Sequence, residues 1–161
     1  MPFLKSEPGA EPVVVEGIFR APPDRVFRAW TDENEVASWF GPGDGRLASA
    51  QIDLRVGGAW RFDYGLHEGR RDVLRGEYLD ILPGKRLVFS WVHERTTADG
   101  EVEVTPGSQV SITFDAAGGG TSVRLVHERI SRETGRLGVG EGWSGTFVNL
   151  TKRFVAEEGD R

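Results

Sequence analysis

The chain has 161 residues, enough for one domain with a real core and too few to expect two. A net charge of -5 supplies no basic footprint for nucleic acid, and the absence of cysteine excludes disulfides, thiolate metal sites and a cysteine nucleophile. No apolar run approaches the roughly 20 residues of a membrane span, and the N-terminus lacks a basic region followed by an apolar block. A cytoplasmic protein without membrane insertion is therefore expected.

Residues 1–12 mix Pro, Gly and Glu without periodicity and read as a loose lead-in. Residues 13–158 read as a single domain. Val13 to Phe19 is rich in β-branched residues and predicts a strand, which Pro22 and Pro23 stop. Val26, Phe27 and Trp30 then fall at helical spacing, with Pro23 well placed to open the helix. Asp32 with Glu35 forms a capping box for a second short helix through Val36 and Trp39, ended by Gly41.

From Leu47 the period changes to two. Trp60, Phe62 and Tyr64 alternate with Arg61 and Asp63. Val73 to Leu82 and Arg86 to Glu94 flank the turn dipeptide Pro83-Gly84 and read as a hairpin, with Leu87, Phe89, Trp91 and His93 on one face. Val110, Ile112 and Phe114 alternate in one further strand, and Val123, Leu125 and His127 in the last. Ser131 to Gly140 reads as a polar, glycine-rich loop. Gly140 to Glu157 then predicts a long helix whose Trp143, Phe147, Leu150 and Phe154 share one face, with Gly145, Asn149, Lys152 and Arg153 on the other. The order is one strand, two short helices, about six antiparallel strands and one long helix. Segregated strands and helices make this an α+β fold in which the sheet curls around the last helix.

Several stretches occur in an order that resembles a known family: Trp39-Phe40-Gly41-Pro42, Arg55 to Phe62, Gly76-Glu77-Tyr78, Leu87 to Trp91, Val110 to Phe114, Leu125 to Glu128, and Gly142-Trp143 opening a helix. The chain is similar to proteins resembling the C-terminal domain of the activator of the heat-shock-protein-90 ATPase, a branch of the START-like, Bet v 1-like superfamily of polyketide cyclases and ligand carriers. The resemblance implies a helix-grip fold: a curved antiparallel sheet wrapped around a long C-terminal helix, two short helices after the first strand, and a hydrophobic cavity between sheet and helix. It also implies binding of a lipid or other small molecule. Chaperone-activating relatives carry a further N-terminal domain that these first residues do not replace.

On that reading the leading function is a non-enzymatic binding protein for a small hydrophobic or aromatic molecule. Its cavity would be lined by Trp39, Trp60, Phe62, Tyr78, Trp91, Phe114, His127, Trp143, Phe147 and Leu150, the bland alternative being that these rings fill a core. A second reading is a cyclase or aromatase acting on a polyketide-like substrate, with His127 or Tyr78 as acid or base. Against it, His93 and His127 read more simply as strand-end histidines, half in solvent and bonded to a backbone carbonyl. No catalytic residue is assigned. A homodimer is compatible with so small a domain, and a chaperone partner is a third reading. No cofactor is expected, and no metal, because the three histidines show no convergent spacing. Gly140-x-Gly142-x-x-Gly145 matches the dinucleotide fingerprint in letters only, since no βαβ unit surrounds it. Asn149-Leu150-Thr151 is a glycosylation sequon inside a predicted helix and carries no weight.

Overall fold

The computed structural model describes residues 3–159, with side chains described as far as residue 154. Nine strands form one antiparallel sheet: β1 (Leu4–Lys5), β2 (Val13–Phe19), β3 (Ser49–Ile52), β4 (Ala59–His67), β5 (Arg70–Leu82), β6 (Arg86–Thr96), β7 (Val102–Val104), β8 (Ser108–Ala117) and β9 (Gly120–Glu128). Their spatial order is β1-β2-β9-β8-β6-β5-β4-β3, with β7 added to β6. β6 is the branching strand. Its first half pairs with β8, its last residues pair with β7, and β5 runs along its other side. The β4–β5–β6 part of the sheet therefore projects past the end of β8.

Helices α1 (Pro23–Thr31) and α2 (Glu33–Ala37) carry the chain from β2 across to the opposite edge strand β3. Pro23 opens α1 as its spacing predicts, and the Asp32 side chain accepts the backbone N–H of Glu35 at 2.9 Å to cap α2. The reciprocal arm of the capping box is not made. Glu35 turns its carboxylate to the guanidinium of Arg25 at 2.6 Å, with Arg153 of the last helix 3.4 Å away.

The last helix, α3 (Glu133–Gly159), lies on the concave face of the sheet. Trp143, Phe147, Leu150 and Phe154 are all buried there, each 3% exposed or less. This is the helix-grip architecture, and none of the described helices is long and apolar enough to cross a membrane.

Three local expectations are corrected. The glycine-rich segment read as a loop is helix from Glu133 onward. Each glycine costs roughly 1 kcal/mol against alanine in a helix, but tertiary contact overrides propensity: Arg136 ties the first turns to the carbonyls of Gly9 at 2.7 Å and Ile130 at 2.8 Å. Asn149, placed on the outer face by periodicity, is only 8% exposed because the segment after α2 folds over it. Residues 3–11 are not a loose lead-in. Leu4 and Lys5 pair with β2, Ser6 exchanges hydrogen bonds with Val14, and Phe3 packs edge-on against Phe147 at 5.6 Å.

Candidate functional site

The concave face is built by strand alternation. On β4, Trp60 and Phe62 point the same way, and register sets them beside Gly76 and Leu74 of β5. On β6, Leu87, Phe89 and Trp91 continue the surface, with Phe89 opposite Tyr78. Gly76 is required for close approach: a Cβ there would overlap the Ser90 carbonyl and lie 2.7 Å from the Trp60 indole nitrogen. Without that methyl, Trp60 lies across β5 and donates to the Ser90 carbonyl at 3.2 Å.

Trp60, Phe62, Phe89 and Phe40 meet edge to face, as their quadrupoles favour, while Trp91 is tilted against Trp60 and Trp143. Trp60 lies 4.9 Å from Phe62, 5.2 Å from Phe89 and 5.7 Å from Trp91, while Phe40 caps Phe62 at 4.9 Å. From the helix side Trp143 reaches Trp91 at 5.2 Å. A void lined by these rings has a volume of about 10 Å³, room for about one water molecule. The void is small because large rings from both layers interdigitate around it.

Of the residues singled out from sequence, Trp60, Phe62, Tyr78 and Trp91 border the void. Trp39, Phe114, His127, Trp143, Phe147 and Leu150 are buried outside it. Trp39 donates to the Ala29 carbonyl at 3.0 Å, Phe114 packs on Phe27 at 5.4 Å, and Phe147 on Phe19 at 5.6 Å. Sequence reasoning missed Trp30, Phe40 and Leu87, which line the void together with Phe89. Strand alternation already placed Leu87 and Phe89 on the inward face, whereas Trp30 and Phe40 arrive from α1 and the segment after α2, which no periodicity ties to the sheet. Trp30 is 3% exposed, and its indole N–H is buried without a hydrogen-bond partner among the described residues.

His127 corrects the strand-end reading, being neither half in solvent nor bonded to a carbonyl. It is completely buried, with Nε2 2.7 Å from Ser108 Oγ and Nδ1 accepting the Trp143 indole N–H at 3.0 Å. An indole nitrogen only donates, so Nδ1 must carry the lone pair and Nε2 the proton. The chain of donors runs from Trp143 to His127 to Ser108, whose hydroxyl reaches the Trp91 carbonyl at 3.4 Å. Burial pushes the imidazole down to about 3, so it stays neutral. Its one basic lone pair is engaged, which leaves nothing for acid–base chemistry. Burial likewise raises the Tyr78 phenol above its ordinary range, so it stays protonated.

His93 stands further along β6, with its Nε2 on the Asp72 carboxylate at 2.8 Å rather than on a backbone carbonyl. Over the groove lies the segment that follows α2. Its Gly41 and Gly43 carbonyls accept from the Asn149 side chain at 2.7 and 3.3 Å, and Gly41 rests on the Tyr64 phenol. On α3 the same stripe continues through Gly145, against Pro42, to Gly142 and Gly138, which face open space.

Residues 20–154 match the model of the family described as activator of Hsp90 ATPase homolog 1-like protein. No curated protein sequence matches the chain. Among solved structures, a protein from Rhizobium leguminosarum superposes with a TM-score of 0.71 at 23% identity, covering 93% of this chain and 94% of that one. The AHSA1 protein from Silicibacter pomeroyi gives 0.71 at 20% identity over 91% and 99%. DynU16, from the dynemicin biosynthetic locus, gives 0.68 at 26% identity over 89% of this chain, which spans 46% of DynU16.

Proposed function

Because the chain belongs to the activator of Hsp90 ATPase homolog 1-like family, with the helix-grip fold, we propose that it binds a small hydrophobic or aromatic molecule between the concave face of the sheet and α3. The observation that carries the reading is the void at the centre of the ring cluster. It is lined by rings, and one of them, Trp30, keeps a buried N–H with no hydrogen-bond partner among the described residues. A solid core has no use for an unpaired donor, which costs about 1–3 kcal/mol. A ligand oxygen beside Trp30 would recover that cost.

A void of about 10 Å³ holds no organic molecule, so ligand entry requires opening. The segment 40–48 is the part suited to move: it carries Phe40 on the void, and two of its carbonyls hang on the Asn149 side chain. DynU16 belongs to the dynemicin biosynthetic locus, which accords with a small-molecule ligand here. The chaperone reading rests on the family description alone, without a residue to carry it.

The test is a titration with the neutral fluorophore N-phenyl-1-naphthylamine, with native mass spectrometry of protein freshly purified from its own cells. Saturable binding at one site per chain is expected, with weaker binding by Asn149→Leu if the segment 40–48 closes over the probe. No saturable binding and only the bare chain mass would remove this reading.

A further inference from the structure

Three neighbouring strands change character at the same level of the concave face. On β4 the inward residues run Trp60, Phe62, Tyr64, and on β6 Phe89, Trp91, His93, Arg95. On β5, which runs the other way, they are Leu74, Asp72 and Arg70. Register sets Phe62 beside Leu74 and Leu74 beside His93, then Asp72 beside Arg95. Residues directly opposite share a face, so the ring surface ends in a polar row. This row lies on the part of the sheet that projects past β8.

Asp72 organises the row. Its Oδ1 accepts from His93 Nε2 at 2.8 Å and from Arg95 Nε at 3.0 Å, and its Oδ2 faces Arg70 Nε at 3.1 Å. Burial works against the carboxylate, but the hydrogen bonds from Arg95 and His93 outweigh it and hold the carboxyl below its usual range. Both oxygens are engaged, so Asp72 has little left to offer a ligand. The Tyr64 phenol has no hydrogen-bond partner among the described residues. Burial, with the charge of Asp72 adding to it, pushes the phenol up to about 12, so it stays a donor. Arg95 spends Nε on Asp72 and is 41% exposed, leaving terminal N–H groups that face solvent. Glu103 of β7 stands opposite Arg95 in register, but it is exposed, where water screens its charge. His67 stands opposite Arg70 and is also exposed.

The spare hydrogen-bonding capacity of the row is thus donor capacity, placed where an aromatic surface ends. We propose that this row is the recognition end for an acidic ligand: an aromatic or apolar molecule carrying an anionic oxygen group, a carboxylate or sulfonate, whose oxygens accept from Arg95 and Tyr64. The body of the ligand lies toward Trp91, the half-buried ring at the boundary between the two surfaces. This assignment rests on the apolar-ligand reading and adds the chemical class.

The experiment compares two probes that share a body. One is N-phenyl-1-naphthylamine, and the other is 8-anilinonaphthalene-1-sulfonate, which adds the anionic group. Arg95→Met is expected to weaken the sulfonate about tenfold and Tyr64→Phe about threefold, the size of a lost charge-assisted or neutral hydrogen bond. Both variants should leave the neutral probe within about twofold of the natural protein. Arg75→Met, which removes a charge paired with Glu94 on the opposite face of the sheet, should change neither. The assignment is overturned if the two row variants weaken both probes alike, if they weaken neither, or if Arg75→Met weakens the sulfonate as much as Arg95→Met. If neither probe binds the natural protein, the apolar-ligand reading falls and the acidic end with it.

Discussion

The indole N–H of Trp143 donates to Nδ1 of His127 at 3.0 Å, joining the first buried ring of α3 to the last inward residue of β9. That bond decides the tautomer of a fully buried histidine. A proton added at Nδ1 would point at an indole hydrogen, so geometry and burial oppose charging together.

Acid should therefore destabilise the fold through His127. The unfolded imidazole takes a proton near pH 6.5, and the folded one refuses it until about pH 3. Between those values the unfolded state binds more protons, so stability falls as the pH drops through the window. Asp72 is depressed in the same direction but over a lower window: its contribution is present above the unfolded value of 3.8 and is lost as the pH falls below it through the lower folded value. Urea midpoints measured from pH 7 to 4 should decline in the natural protein and flatten in His127→Gln, which can still accept from Trp143 and donate to Ser108. Equal slopes for the two proteins would count against the locked neutral imidazole. Nitrogen NMR should find the proton on Nε2 throughout.

Trp143→Phe keeps a ring against Trp91 but removes the donor to His127. Leaving that buried acceptor unsatisfied should cost about 1–3 kcal/mol, read as a lower denaturant midpoint with an unchanged slope. A loss below about 0.5 kcal/mol would mean that the bond contributes nothing beyond packing.

Asn149→Ala should release the covering segment without unfolding the domain. The side chain holds the Gly41 and Gly43 carbonyls, and Gly45 packs against it so closely that a Cβ there would lie 2.6 Å from its amide nitrogen. Hydrogen exchange should accelerate in residues 40–48 while β8 and β9 stay protected. Uniform acceleration across the sheet would instead make Asn149 a general core residue.

Gly76→Ala tests the close approach of Trp60 to β5. The new methyl would overlap the Ser90 carbonyl and crowd the Trp60 indole, and overpacking of this kind costs about 1–3 kcal/mol. A shift in tryptophan emission should accompany it, since Trp60 must leave its bond to Ser90. An unchanged spectrum with full stability would show that β5 and β6 yield more readily than their register suggests.

Much of this architecture was legible in the residues because it rests on local periods. Alternation placed Trp60 with Phe62 and Leu87 with Phe89 and Trp91 on inward faces, and the spacing of four, three and four placed Trp143, Phe147, Leu150 and Phe154 on one side of a helix. The early start of α3 was hidden because glycines at 135, 138 and 140 argue locally for a loop. The Arg136 bonds to the carbonyls of Ile130 and the distant Gly9 tie the helix down there. The role of Asn149 was hidden for the same reason, since its partners lie more than a hundred residues away.

By itself the sequence determined the class of fold, the inward faces and the family, all of which follow from patterns within a few residues or from their order. Tertiary structure decided whether the rings enclose space or fill it, because a void depends on how layers interdigitate, which no period encodes. It also decided the chemistry of the histidines. His127 and His93 both end an alternating apolar run, yet one meets an indole in a closed core and the other a carboxylate beside solvent. That difference lies in the neighbours brought by α3 and β5, which bury one imidazole and leave the other at the open end of the sheet.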